Sequence, residues 1–304
     1  MSDPGPSLRD RLERLLLWRV WERLLEIEFV DRSVALAGKA FVSFFPLLIV
    51  VAAFVPEGVR ESILTTLRDR LGLAGESLAA TREAFASSSE IREATGVFGL
   101  VLTIFFATSF TTALQRVYLR VWRRPTPPRG GAYWRGAIWL VAQLGCAAVV
   151  GAIRGVLHGE IGAGVVAVVA VATISGLWWF SSWFFLLGDV RGRVLLPTGL
   201  ITGLLLSAFF LSATVWMPQV VTSNEEQFGV FGIALALVTW FSGISICILV
   251  GACAGIVLAE DSGSIGTFIR GRQPSVLTVG ARPSLAPPLR EPTLRDAFQG
   301  PADS

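Results

Sequence analysis

The chain has 304 residues, of which 53% are hydrophobic and only 16% are charged, and its mean hydropathy is +0.62. Its formal net charge is +3 at neutral pH. A chain this apolar lies outside the usual range of soluble domains, and it lacks the polar faces that a soluble all-α protein would need. We therefore expect a membrane protein.

The N-terminal segment, residues 1–33, differs in character from the rest. Arginines and acids alternate there, and one face repeats large apolar residues at helical spacing: Leu12, Leu15, Leu16, Trp21, Leu24 and Leu25. This pattern predicts an amphipathic helix on the cytoplasmic surface. No small-residue cleavage site follows a short apolar core, so we expect no signal peptide and a retained first span.

The first apolar stretch is Val34–Val55, and it contains Lys39, the only lysine in the chain. Two interpretations of Lys39 remain open. Its ammonium reaches back to the cytoplasmic headgroups, or it faces the bundle interior to meet an anionic substrate or a partner carboxylate. Pro46 removes one backbone hydrogen bond and predicts a kink, with Ser43 available to bond a freed carbonyl.

Five more apolar stretches follow, and each is long enough to cross a hydrocarbon core of about 30 Å. They are residues 97–116, 137–157, 161–187, 194–217 and 228–259. The sequence thus predicts an all-α polytopic membrane protein with six transmembrane helices in a membrane domain at 34–259. Residues 57–95 are expected to form an outer loop with an amphipathic helix, and residues 260–304 a disordered cytoplasmic tail.

The distribution of arginines predicts the orientation. Arginines cluster before the first span, between the second and third spans, and in the tail. The loop between the fifth and sixth spans has no basic residue and carries two acids, Glu225 and Glu226. Basic residues favour the cytoplasmic side. Both termini are therefore expected to be cytoplasmic.

Four arginines lie where the second span ends. Arg116, Arg120 and Arg123 are spaced i, i+4 and i+7, which puts them on one helix face, and Arg124 is beside them. Such a cluster attracts anionic headgroups, and Arg116 and Arg120 are candidates to hold a phosphate through bidentate hydrogen bonds. The alternative is that these charges only set the topology.

Small and aromatic residues mark the helix contacts. Three G-x-x-x-G spacings, at residues 151–155, 199–203 and 251–255, predict close helix approach, either within one bundle or at a dimer face. The stretch "WWFSSWFF" at Trp178–Phe185 predicts an interfacial aromatic belt, with a lateral groove for acyl chains as the alternative.

Residues for catalysis are scarce. The chain has a single histidine, His158, and three cysteines without C-x-x-C spacing, so we expect no metal site and no disulfide framework. No nucleotide-binding loop is present. We expect no enzyme activity, no cofactor and no nucleic-acid partner.

Four stretches resemble a known family: "DRSVALAGKAFVSFFPLLIVV", "TTALQRVYLRVWRR", "LLPTGLITGLLLSAFFLSATVW" and "FGVFGIALALVTWFSGISICILVGACAGIVLAED". From Asp31 to Asp261 the chain is similar to the YihY/virulence factor BrkB family, also labelled ribonuclease BN-like. The resemblance implies a six-helix bacterial inner-membrane protein with cytoplasmic ends. This chain departs from the family pattern around Gly38, Lys39 and Ala40, where paired tyrosines are usual, and at Cys253, where glutamate is usual.

Two functions remain open. The first is a plasma-membrane transporter or flippase-like protein for a lipid or other amphipathic anion, because cationic groups occur only at the ends of apolar spans. The second is a non-transporting scaffold that holds a partner through its N-terminal helix and basic loop. The expected partners are membrane lipids, including anionic ones, and the chain is also a candidate homo-oligomer or partner of another membrane protein.

Overall fold

The computed structural model describes residues 16–54, 89–126, 132–156, 159–261 and 264–271. These residues are almost entirely helical and contain no strand, which confirms an all-α fold for the described part of the chain. The helices are α1 (Leu16–Glu26), α2 (Phe29–Phe54), α3 (Ser89–Val121), α4 (Ala132–Val156), α5 (Gly159–Phe185), α6 (Gly192–Phe228), α7 (Val230–Ala259) and α8 (Ser264–Arg270). The predicted amphipathic helix of the 57–95 loop and His158 lie outside the described residues.

Four of these helices are long and apolar enough to cross a membrane: α4, α5, α6 and α7. This is the pattern of a multi-pass membrane protein. Helices α2 and α3 correspond to the first two predicted spans, but the described side chains cover only part of each apolar stretch, so these two spans stay predictions.

The helices extend beyond the apolar stretches from which they were predicted. Helix α2 begins at Phe29 and not at Val34, and α3 begins at Ser89 and not at residue 97, so the predicted loop at 57–95 ends earlier. Helix α6 continues to Phe228, past the predicted end at Met217. Hydropathy marks only the apolar part of a helix, whereas backbone hydrogen bonding continues through the polar residues beyond it.

Helices α2 to α7 form a closed ring. Each packs against the next helix in the sequence, and α7 packs against α2. Helix α3 also contacts α5 and α7 across the ring. Helix α1 packs mainly against α7, and α8 packs against α7 and α6, so both short helices lie at the same end of the bundle. We call this the basic end, because arginines of α1, α3, α6 and α8 lie there.

The apolar core has two parts. The larger part lies toward the basic end and includes residues of all seven helices from α1 to α7. Its fully buried members include Leu36, Leu114, Tyr118, Trp122, Leu195 and Leu249. The smaller part lies toward the opposite end, where Met217 and Val221 of α6 pack with Ala236 and Leu237 of α7 and with phenylalanines of α2. Helix α2 therefore contributes to both parts.

Helix α6 approaches α5 closely through two glycines. A Cβ added at Gly203 would lie 2.2 Å from Ser175 Oγ and 2.6 Å from Ser175 Cα, and a Cβ at Gly199 would lie 2.6 Å from Trp179 Cα. These distances are shorter than real Cβ contacts. The two helices can therefore pack this closely only because both positions lack a side chain.

At the contact between α6 and α7, the glycines belong to α7 and α6 contributes threonines. A Cβ at Gly251 would lie 2.1 Å from Thr202 Oγ1, and a Cβ at Gly255 would lie 1.9 Å from Thr198 Oγ1. One Cα hydrogen of each glycine thus points at a threonine hydroxyl, which is the geometry of a weak Cα–H···O contact. Both G-x-x-x-G spacings of α6 and α7 pack within the bundle, as one of the two interpretations predicts.

Gly151 of α4 behaves differently. A Cβ there would meet no atom within 4 Å, and the residue is exposed. Gly151 therefore mediates no helix contact within the described part of the bundle.

Pro46 lies inside α2, which continues helical to Phe54. Ser43 Oγ donates a 2.7 Å hydrogen bond to the Lys39 carbonyl oxygen, four residues earlier. The carbonyl that loses its partner at a proline is the one four residues before it, which here belongs to Val42. The expectation that Ser43 bonds the freed carbonyl is therefore wrong, because its hydroxyl bonds the carbonyl one turn before its own position.

Residues 264–270 form a helix within the segment that was expected to be disordered. Arg193 of α6 lies 4.9 Å from the centre of the Phe268 ring, and Arg270 donates to the Ala259 carbonyl oxygen. Ile269 packs against the larger core. Composition alone missed this helix because its contacts with the bundle come from a few side chains within a largely polar segment.

We predict that Gly203→Ala destabilises the bundle and that Gly151→Ala does not. Both substitutions gain the same helix propensity, about 0.5–1 kcal/mol, but only the first forces α5 and α6 apart, at a cost of about 1–3 kcal/mol. Thermal unfolding of the two variants in detergent measures the difference. Equal midpoints would contradict the close approach of α5 and α6.

Candidate functional site

The rotation of α3 about its own axis is fixed by its buried face. Leu114, Tyr118 and Trp122 are each 0% exposed and follow one another at four-residue spacing. Beside them, Gln115 Nε2 donates a 3.2 Å hydrogen bond to the Phe185 carbonyl oxygen at the end of α5. An amide bonded to a helix-terminal carbonyl satisfies a group that has no partner within its own helix. These contacts leave the opposite face of α3 turned toward α2.

The face of α3 that is opposite the buried one changes in character along its length. Val101 and Phe105 are exposed and apolar. Ser109 and Thr112 follow with hydroxyl groups, and Arg116 comes one turn later. These residues are spaced at about whole helical turns, which places them on one side of the helix. The face therefore runs from apolar through hydroxyl to cationic.

A cavity of about 240 Å³ lies between α2 and α3 on this face. Lys39 Nζ reaches across it and donates a 3.0 Å hydrogen bond to Ser109 Oγ. The residues that line the cavity are Lys39, Phe105, Thr108, Ser109, Thr112, Ala113 and Arg116. We call this cavity the α2–α3 groove. It brings together Lys39 and Arg116, two of the residues predicted as anion-binding candidates.

The charges of the α2–α3 groove are not neutralised within the described ranges. Lys39 bonds only to Ser109 there, and Arg116 has neither a carboxylate partner nor a hydrogen bond. In the same ranges, the hydroxyls of Ser109 and Thr112 donate to no acceptor. By contrast, the Thr108 hydroxyl donates to the Ile104 carbonyl oxygen at 2.6 Å. The groove thus offers two cations and two unused hydroxyl donors.

The other three predicted arginines lie outside the α2–α3 groove. Arg120 Nη1 lies 3.5 Å from Glu28 Oε2, and Arg123 Nη2 lies 3.2 Å from Glu26 Oε2. Arg124 follows Arg123 beyond the end of α3. The cluster predicted on one helix face is therefore divided, with Arg116 in the groove and Arg120 and Arg123 paired with the α1–α2 corner.

The end of α3 explains why Arg123 leaves the predicted face. Arg123 has φ +49°, the left-handed conformation, and the Arg124 amide donates to the Leu119 carbonyl oxygen at 2.7 Å. The Arg123 amide donates to the Arg120 carbonyl oxygen at 3.1 Å. This is a Schellman motif, which ends the helix and turns the chain away. Spacing alone assumed that the helix continued to Arg123.

Arg23 of α1 has a role that sequence reasoning missed. It is 8% exposed, and its guanidinium donates to the Val121 carbonyl oxygen and to the Glu26 carboxylate. A cation at a helix C-terminus satisfies carbonyls that have no partner in the helix and interacts favourably with the helix dipole. Arg23 therefore joins α1 to the end of α3. The sequence signal was an arginine on the apolar side of an amphipathic helix, next to Leu24.

Glu26 completes this junction. Partial burial alone would raise the pKa of Glu26, but hydrogen bonds and charges from Arg23 and Arg123 outweigh that effect and hold its pKa below the ordinary value of 4.5. Its side chain is 51% exposed, so the ion pair with Arg123 is screened by solvent and contributes little by itself. The buried Arg23 is the stronger part of the junction.

Both interpretations of Lys39 stay predictions, and the structure adds the position of its ammonium. It is half-buried, and its ammonium contacts a serine of the neighbouring helix. No carboxylate of the described residues meets it. Whether the ammonium also reaches the headgroup layer stays a prediction.

The aromatic stretch at the end of α5 serves both the core and the surface. Trp178 and Phe185 are buried, whereas Trp179 and Trp183 are 39% and 44% exposed. The exposed Trp179 ring donates a 2.7 Å hydrogen bond from Nε1 to the Gly192 carbonyl oxygen at the start of α6. That these two exposed indoles form an interfacial belt stays a prediction.

Metal-binding geometry is not found in the described part of the chain, where no group of three His, Cys, Asp or Glu residues converges. The three cysteines are free thiols within α4 and α7. The absence of a cofactor and of enzyme activity stays a prediction.

Comparisons with protein-family models, with curated proteins and with solved structures found no match to this chain. The likeness to the YihY/BrkB family therefore remains a resemblance carried by the quoted stretches.

We predict that Glu26→Gln removes a pH-dependent part of the stability. A carboxylate with a lowered pKa stabilises the folded state above the unfolded pKa, and this contribution is lost as the pH falls through the folded value. Wild type should therefore lose stability relative to Glu26→Gln as the pH falls below 4.5. Thermal unfolding of both proteins between neutral pH and about pH 3 measures it. If the unfolding temperatures of the two proteins changed with pH in parallel, the ionic contacts of Glu26 with Arg23 and Arg123 would be contradicted.

Proposed function

We propose that this chain is a six-span membrane protein with cytoplasmic termini that binds an amphipathic anion in the α2–α3 groove and moves it across the bilayer. The observation that carries the proposal is the pairing of Lys39 and Arg116 on one cavity without a carboxylate from the described residues. We place the chain in a bacterial plasma membrane and group it with the YihY/BrkB family. The basis for that placement is the sequence resemblance.

Charge at the two ends of the bundle supports the proposed orientation. Arginines of α1, α3, α6 and α8 lie at the basic end. At the opposite end, the turn between α6 and α7 follows Glu225 and Glu226. Positively charged residues are retained on the cytoplasmic side during insertion. We therefore assign the basic end to the cytoplasm, with α2 and α3 as the first two spans.

An anion is the ligand that this groove favours energetically. A cation without an anionic partner is costly beside a hydrocarbon phase. An anion that binds between Lys39 and Arg116 relieves that cost and supplies acceptors for the two unused hydroxyls. The exposed Phe105 at the edge of the groove gives the apolar part of an amphiphile a surface to lie on.

Transport is preferred to a scaffold role because the groove opens beside an exposed apolar helix face. Val101 and Phe105 extend from the groove along α3 and are 61% and 59% exposed. A lipid can enter such a groove sideways without leaving the bilayer. A scaffold would need only the α1 junction, and it would bind lipid without moving it.

The first expectation from this proposal concerns topology. In a chain whose cysteines are replaced, Leu78→Cys should react with an impermeant thiol reagent on intact cells, whereas Pro127→Cys and a cysteine in the tail should react only after lysis. Both predictions follow from the distribution of basic residues. The reverse pattern at positions 78 and 127 would refute the orientation.

The second expectation concerns lipid movement. The double variant Lys39→Gln, Arg116→Gln should slow the exchange of a fluorescent anionic lipid between liposome leaflets by at least about tenfold, because charge-assisted hydrogen bonds are worth about 1.5–3 kcal/mol each. Arg120→Gln is the matched control, since Arg120 faces Glu28 and not the groove. Retained lipid with no wild-type exchange would favour the scaffold.

A further inference from the structure

We propose that the α2–α3 groove selects a phosphate monoester, the headgroup of a lipid such as phosphatidic acid, over the phosphodiester headgroups of common anionic lipids. This inference rests on the proposed function and specifies the ligand of the same site. It follows from the charge, the donor set and the size of the groove.

Charge balance favours the monoester. The groove carries two cations, Lys39 and Arg116, that meet no carboxylate among the described residues. A phosphate monoester carries about −1.5 to −2 charges at neutral pH, because its second pKa is about 6. A phosphodiester carries a single charge. Only the monoester neutralises both cations.

The donors also match three terminal oxygens better than two. A lysine ammonium has three N–H donors, and Lys39 uses one on Ser109, which leaves two. Ser109 accepts that bond, so its own hydrogen remains available, as does the hydroxyl of Thr112. Arg116 adds a planar fork that binds two oxygens of one phosphate at once. A monoester presents three strong acceptor oxygens to this set.

The size and surroundings of the groove point to a lipid as the source of the phosphate. Its volume of about 240 Å³ is below the range of about 300–1,000 Å³ that is typical for a whole ligand. The groove therefore suits a small headgroup and not an entire amphiphile. Phe105 lines its edge, and the exposed Val101 continues the same face away from Arg116. An acyl chain can lie along these residues while the phosphate occupies the groove.

The test measures headgroup selectivity in the full-length protein. Protein in phosphatidylcholine nanodiscs is titrated with phosphatidic acid, with phosphatidylglycerol and with soluble glycerol phosphate, and bound ligand is counted by native mass spectrometry. At pH 7.5 we expect phosphatidic acid to bind about tenfold more tightly than phosphatidylglycerol, which corresponds to one additional charge-assisted hydrogen bond. The ratio should shrink at pH 5.5, where most of the monoester has taken up one proton and carries a single negative charge.

Variants assign the selectivity to the groove. Lys39→Met and Arg116→Gln should each reduce the binding of phosphatidic acid to the level of phosphatidylglycerol. Arg120→Gln should leave the ratio unchanged, because that arginine pairs with Glu28. Arg116 is exposed, so its replacement tests the site even where a change at Lys39 disturbs the helix packing.

The outcomes separate this inference from the proposed function. Equal binding of both lipids that still depends on Lys39 and Arg116 would overturn the selectivity and leave the anion site intact. Lipid binding that is indifferent to both residues would overturn the site itself. Displacement of phosphatidic acid by equimolar glycerol phosphate would support the phosphate chemistry and overturn the lipid as its source.

Discussion

The bundle depends on the close approach of α6 to both of its neighbours. Gly199 and Gly203 admit the backbone of α5, and Thr198 and Thr202 on the adjacent face meet two glycines of α7. Within a bilayer, lipid tails are as apolar as leucine, so helix association relies on van der Waals contact and not on the hydrophobic effect. Small residues at these positions therefore set the distances between three helices at once. The short sequence "PTGLITG" contains all four of the α6 residues named at these contacts.

That tight unit fixes how α3 can lie against the rest of the ring. Tyr118 of α3 and Trp122, which directly follows α3, fill the larger core, and Gln115 bonds the end of α5. Arg23 of α1 then bonds the last carbonyls of α3. One face and one end of α3 are thus held by contacts, and its hydroxyl and cationic face is turned toward α2. The groove is thus a consequence of packing elsewhere in the molecule.

Apolar run length predicted the all-helical fold and located α2 to α7, because hydrocarbon thickness imposes a minimum span. It missed where helices begin and end, since α2 and α3 continue into polar sequence. Residue spacing placed Arg116 and Arg120 on one face of α3, but it did not reveal that Arg120 forms an ion pair with Glu28. Contacts between residues far apart in the chain, such as Lys39 with Ser109, carry no local signal. They follow from the order of helices in the ring, which neither hydropathy nor residue spacing specifies.

The basic end therefore contains cations in two different physical states. Arg23, Arg120 and Arg123 have partners in Glu26, Glu28 and the carbonyls of α3, and the buried Arg23 does most to hold α1 in place. Lys39 and Arg116 lie nearby on α2 and α3, yet among the described residues they face hydroxyls and not carboxylates. Orientation in the membrane requires positive charge at this end, but it does not require any of these cations to lack a carboxylate partner. A protein that needed only orientation would gain stability from a carboxylate at Ser109 or Thr112. Hydroxyls at those positions leave the charge available, which is the arrangement that a reversible anion site requires.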